Sequence, residues 1–284
     1  MTRTLFVILL SVLSWSSIYA QDDLLDELEN SSEEEVFEYP AFKAMKIGNL
    51  QSTKVAAKGD WYMYVSHRFG SLKDGISTFF GLDNANTKIQ MAYGLFEGVQ
   101  LSVSRESLRK TYAGALKFRL MSQSDKFPVN VVGYTTINVN TELTTERYPH
   151  MLFEDRLSYA SQVLISKRFS NKLSLELAPT YVRQNLVLEK FQDHNQYALG
   201  FGGRFKLNTR LSLNVDYVYN FSRASESVYK DPLTIGLDLE TGGHVFQLLF
   251  SNAQSTNEPG FISNAEGDWS TGDIFFGFNI VRVF

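Results

Sequence analysis

From Asp60 to the last residue, the chain resolves into about twelve runs in which apolar and polar residues alternate with a period of two. The runs fall near 60–69, 87–95, 98–105, 111–122, 128–139, 156–169, 172–184, 195–207, 210–222, 233–240, 243–251 and 272–284. The links after even-numbered runs are tight: 96–97, 123–127, 170–171, 208–209 and 241–242. Those after odd-numbered runs are mostly long, at 70–86, 140–155, 185–194, 223–232 and 252–271, with 106–110 the short exception. A soluble β-sandwich gives no reason for such strict alternation. A barrel with short turns at one end and longer loops at the other requires it, together with an even strand count. The expected fold class is all-β: a transmembrane antiparallel up-and-down β-barrel of about 12 strands over residues 60–284.

The faces of the runs agree. In the ninth, Leu211, Val215, Tyr217, Tyr219 and Phe221 point one way and Ser212, Asn214, Asp216 and Asn220 the other. In the eighth, Tyr197, Leu199, Phe201, Phe205 and Leu207 alternate with Ala198, Gly200, Gly202, Arg204 and Lys206. One face suits lipid and its interfaces, and the small, polar face suits a narrow lumen. Past the N-terminal segment no apolar run approaches the ~18–20 residues a transmembrane helix needs, yet the chain holds 22 Phe, 14 Tyr and 3 Trp. It has no cysteine, so neither disulfides nor thiolate metal sites contribute.

The last run must close the barrel. Phe276, Phe278, Ile280 and the final Phe284 share one face and form the expected barrel-closing signal, the feature the barrel assembly machinery reads. At the other end, Arg3, the apolar stretch 5–13 and the small residues before Ala20 make residues 1–20 a signal peptide, with cleavage expected after Ala20. Residues 21–39 are an acidic, disordered leader: nine Asp and Glu and no basic residue lie between Gln21 and Glu38. From Tyr39 onward 26 Lys and Arg face 22 Asp and Glu. Residues 40–59 are turn-rich, and read as a periplasmic segment or a small plug inside the barrel.

Candidate chemistry is sparse. His67, His150, His194 and His244 form no metal-binding pair, and no cofactor or metal is expected. His67 falls on the lipid face near the outer rim, where an interfacial imidazole is the simplest reading. No Gly-x-Ser-x-Gly or comparable Ser–His pattern supports a hydrolase, and phosphate-loop and nucleic-acid signatures are missing. The informative constellation is the set of charges that alternation turns inward: Arg68, Lys88, Lys117, Arg119, Arg168, Arg204 and Lys206, against Glu176, Asp216, Asp238 and Glu240. They read either as a paired network filling a narrow lumen or as the lining of a small pore that favours anions.

The stretch Gly59-Asp60-Trp61-Tyr62-Met63-Tyr64-Val65-Ser66-His67-Arg68-Phe69-Gly70, with Tyr93-Gly94-Leu95 and Lys110-Thr111-Tyr112-Ala113-Gly114-Ala115-Leu116-Lys117 after it, resembles a Bacteroidota family of uncharacterised outer-membrane β-barrel proteins. Its members carry a His-Arg-Phe-Gly first strand and a later Lys-Thr-Tyr-x-Gly strand. The resemblance covers about 40–284 and implies fold and compartment but no activity. The expectation is a monomeric, non-enzymatic, structural or channel-like protein embedded in outer-membrane lipids, conducting small anionic solutes if its lumen is open. The alternative is a plugged barrel that binds a periplasmic or surface protein partner through its long loops; an outer-membrane lipid hydrolase is a distant third.

Overall fold

A computed structural model describes residues 39–284; the expected signal peptide and nearly all of the acidic leader lie outside the described residues. Twelve strands form a closed antiparallel barrel in sequence order: β1 Trp61–Ser71, β2 Ala85–Phe96, β3 Val99–Glu106, β4 Thr111–Met121, β5 Asn130–Asn140, β6 Leu157–Arg168, β7 Leu173–Gln184, β8 Asn195–Lys206, β9 Leu211–Asn220, β10 Leu233–Thr241, β11 His244–Ser251 and β12 Phe275–Val283. Every strand pairs with its chain neighbours, so no edge stays open. The all-β up-and-down barrel expected from the alternating runs is the fold observed, and each strand begins and ends within three residues of its run.

Closure falls between β1 and β12, with Tyr62 opposite Val283 and Arg68 opposite Gly277. Trp61 and Phe284 exchange backbone hydrogen bonds beyond the last paired residues, of 3.3 and 2.9 Å. On the outer side of this seam His67 stacks on Phe278 at 5.1 Å and Phe69 on Phe276 at 5.7 Å, so aromatic contact supports the ladder where sequence neighbours cannot.

Side-chain alternation separates two environments. Outward residues such as Ile89, Val103, Ile137, Val163, Phe201 and Leu248 are exposed, an apolar belt that water would not tolerate and lipid satisfies. Inward residues are buried and mostly polar, among them Ser66, Gln100, Thr136, Gln162, Asn214, Gln247 and Asn279. A buried polar wall needs partners.

Two inserts supply many of them. Residues 41–57 run inside the wall as a tight hairpin: Ile47 N–H donates to the Leu50 carbonyl and Ser52 N–H to that of Met45, each at 2.9 Å. Its tip sits so close to β9 and β10 that a Cβ on Gly48 would lie 2.6 Å from Asp216 Oδ2 and 2.8 Å from Thr234 Cγ2. Ile47 packs on Gly202 of β8, where an added Cβ would collide with Ile47 Cδ1; the small inward residues of β8 thus make room for this hairpin as well as for wall curvature. From the opposite end, the β11–β12 connection folds inward around a short helix, α1 (Glu258–Ser263), with Phe261 and Ile262 fully buried. Asn257 caps α1 by accepting from Gly260 N–H, and Arg223 donates to the Ile262 and Ser263 carbonyls at its far end.

Candidate functional site: the charged lumen

The hairpin backbone meets the inward charges residue by residue. Lys117 of β4, fully buried, donates through Nζ to the carbonyls of Met45, Ser52 and Lys54 at 3.2, 3.0 and 3.2 Å. Arg68 of β1 donates to Asn49 Oδ1 at 2.8 Å and to Asn279 Oδ1 at 3.0 Å. Asp216 accepts the Asn49 N–H at 3.0 Å, and Glu176 the Thr53 N–H at 3.0 Å. Cations therefore hold hairpin carbonyls and side-chain oxygens, and carboxylates hold hairpin amides. Such charge-assisted bonds are stronger than neutral ones.

Asp238 bonds Gln247 Nε2 at 2.9 Å, and Gln247 donates onward to the Ile47 carbonyl at 3.0 Å. Glu240 is bridged by Arg204 and, at 2.9 Å, by Lys43, which marks the mouth where the hairpin enters. Lys88 is buried opposite Glu106 in the β2–β3 register. The remaining three lie nearer the short turns: Arg119 pairs with Glu97 at 3.3 Å, Arg168 bonds Asn171 Oδ1 at 2.9 Å, and Lys206 is half-buried at the end of β8. The structure thus brings Arg68, Lys117, Glu176, Asp216 and Asp238 together around one hairpin, and leaves Arg119, Arg168 and Lys206 at the rim. Phe276, Phe278 and Ile280 lie on the outer face of β12, and Phe284 is exposed beyond its end.

Three residues that matter here lie outside the set of charges that alternation turns inward. Glu106 stands one position past the end of the third run, where parity no longer assigns a face. It accepts from Thr256 N–H at 2.7 Å, Thr256 Oγ1 at 3.1 Å, Asn86 Nδ2 at 2.6 Å and Asn257 Nδ2, tying the inward loop to β2 and β3. Gln247 is uncharged, and Glu258 lies in a stretch without periodicity. Where the two inserts meet, Gln51 Nε2 donates to Glu258 Oε1 at 2.7 Å and Lys46 Nζ to the Thr256 carbonyl at 2.8 Å, with Lys46 and Glu258 3.8 Å apart. Burial drives the Lys46 ammonium down to about 7, Lys88 adding to the fall and Glu258 opposing it. Burial also works against the Glu258 charge, but Lys46, Lys88 and the Gln51 amide outweigh it and hold that carboxyl below its ordinary range.

His67 Nδ1 bonds Thr87 Oγ1 at 2.8 Å while its ring stacks on Phe278, and His194 Nδ1 bonds the Gln184 carbonyl at 2.8 Å. Among the described residues no histidine bonds a serine, and no cluster of three His, Asp or Glu could hold a metal.

Lys117 offers a direct check on the hairpin. With Lys117→Met the three carbonyls lose a cation, at a cost of about 1.5–3 kcal/mol for charged hydrogen bonds. Trypsin should then cut after Lys46 or Lys54 in the folded variant and leave the wild-type hairpin intact; equal protection would mean that Lys117 does not retain it.

A family model described as a membrane-bound β-barrel domain, DUF5777, matches residues 42–284. The chain belongs to this family. With its closed barrel and apolar outer belt, the protein is an outer-membrane β-barrel. Among solved structures the chain is similar to the NanC porin, at 10% identity over 78% of this chain and 98% of that one with a TM-score of 0.48. It is also similar to the KdgM porin, at 8% identity over 79% and 99% with a TM-score of 0.49. Outer membrane phospholipase A from Escherichia coli shares 12% identity over 79% and 90%, with a TM-score of 0.41. No curated protein matches the sequence.

Proposed function

We propose that this is a non-enzymatic barrel, channel-like in build and closed at rest, in which residues 41–57 act as a plug and the external loops are the working surface. One observation carries the reading: Lys117, Arg68, Glu176 and Asp216, the side chains that would line an ion path, are engaged by the hairpin itself. A luminal charge that already binds a fixed backbone cannot exchange with a passing ion. The inward loop adds a second closure, joined to the first through Gln51, Lys46, Glu258 and Thr256.

A gated conduit is the second reading, and it is favoured because the hairpin forms no strand of the wall. The hairpin is held by hydrogen bonds and ion–dipole contacts to side chains and by the packing of Phe42, Ile47, Leu50 and Val55 in the core, so its withdrawal would expose apolar surface but break no strand pairing. Planar-bilayer recording of the purified, folded protein separates these readings from a permanently open pore: a steady wild-type current would overturn closure at rest.

A further inference from the structure

Beyond the lumen, the longer loops enclose two adjoining cavities at the end of the barrel opposite the hairpin's entry. The inner one measures about 100 Å³ and the outer about 190 Å³, each several times the ~10–15 Å³ one water needs. They share Arg109, Asn140, Leu143, Gln184, Leu186 and Asn264, so they form one cleft in two lobes.

Between the lobes stands a closed ring of three carboxamides. Gln184 Nε2 donates to Asn264 Oδ1 at 2.7 Å, Asn264 Nδ2 to Gln192 Oε1 at 3.3 Å, and Gln192 Nε2 back to Gln184 Oε1 at 2.9 Å. A ring of this kind fixes the orientation of every amide in it. Each member spends one N–H and one lone pair on the ring, and an amide carries two of each, so further donors and acceptors remain on Gln184 and Asn264. Groups that donate and accept side by side match hydroxyls, which do the same.

The charges point to a neutral ligand. Across both lobes Arg109, Arg147 and Arg156 are matched by Asp155, Glu142 and Glu266. Apolar surface comes from Leu143 and Leu186 and, in the outer lobe, from Tyr148 and Tyr229; such surfaces suit the C–H face of a sugar ring. Arg109 and Lys110 hold φ values of 54° and 45°, a left-handed pair without glycine, and backbone strain of this kind collects at sites where a side chain must be aimed. Arg156 keeps a buried Nε–H with no acceptor among the described residues.

We propose that this two-lobed cleft binds a neutral saccharide, recognised by the Gln184–Asn264–Gln192 ring and the two tyrosines. The proposal rests on the external loops being the working surface, and it names their ligand class. The inner lobe is floored by Ser255 and Asn257, which also bond Glu106, so a bound sugar lies directly on the loop that closes the lumen.

The test uses the full-length folded protein on an array of neutral oligosaccharides (glucans, mannans, N-acetylglucosamine oligomers) and acidic ones (polygalacturonate, heparin fragments), with calorimetry of the hits. Retention of a neutral series is expected. Asn264→Leu and Tyr148→Ala should each weaken it about tenfold or more, as expected for a lost buried hydrogen bond or stacking surface, while Lys126→Ala, on a short turn at the other end, should match wild type. Heat-dependent gel mobility confirms that each variant is folded; Tyr148 lines only the outer lobe, so its variant keeps the test decisive if Asn264→Leu does not fold. Binding to no neutral saccharide, to acidic ones alone, or undiminished binding in Tyr148→Ala would overturn the proposal. A conducting wild type that still binds sugar would overturn closure at rest alone, and a silent one that binds none would overturn the saccharide site alone.

Discussion

A barrel with residues 41–57 deleted and 253–266 replaced by a short Gly-Ser linker is expected to conduct ions in planar bilayers, where the wild type is silent. The wall is complete without either insert: all twelve strands pair in sequence order and neither insert contributes a strand. Removal of the hairpin frees Arg68, Lys117, Glu176 and Asp216, and removal of the loop clears α1 and the contacts to Glu106. Deleting the hairpin alone should give a smaller current, because Phe261 and Ile262 still occupy the opposite half. The opened pore should prefer anions, since the rim cations Arg119, Arg168 and Lys206 join Arg204 around the mouth that the hairpin vacates, where Glu97 and Glu240 are their acidic partners. Replacing Lys117, Arg119, Arg204 and Lys206 with Glu in that background should reverse the preference. A doubly deleted barrel that is folded by gel mobility yet silent would sink the plug reading.

The second large effect concerns assembly. Phe278→Asp should sharply reduce the folded protein recovered from outer membranes, and deletion of Phe284 should do the same. Phe278 lies on the lipid side of β12, stacked on His67 across the closing seam. A charge there costs up to a few kcal/mol against lipid and also removes the aromatic contact that backs the β1–β12 ladder. Phe284 exchanges both backbone hydrogen bonds with Trp61, so its loss frays the last pair of the barrel. Normal outer-membrane levels of both variants would show that closure depends on neither residue.

Much of the wall is legible in the amino-acid sequence alone. Parity along a strand is local: once Leu211 is assigned outward, Ser212 and Asn214 must point inward, and lipid on one side makes the assignment self-consistent. The same rule turns Arg68, Lys117, Glu176 and Asp216 toward the lumen. Strand ends are less secure, because turn residues carry no parity, and Glu106 falls outside its predicted run for that reason.

What fills the lumen was decided only by tertiary structure. Residues 41–57 and 252–271 show no periodicity, and their partners are remote in sequence: Asn49 meets Asp216 across 167 positions, and Thr256 meets Glu106 across 150. A charge count cannot choose between a cation facing an anion and one facing three carbonyls, and Lys117 takes the carbonyls. The carboxamide ring likewise joins Gln184 to Asn264 across 80 positions. Alternation against lipid determined the barrel and its facing because that constraint acts on each residue locally; the closure of the lumen and the shape of the outer cleft arose where two aperiodic segments satisfied buried polar groups from many strands at once.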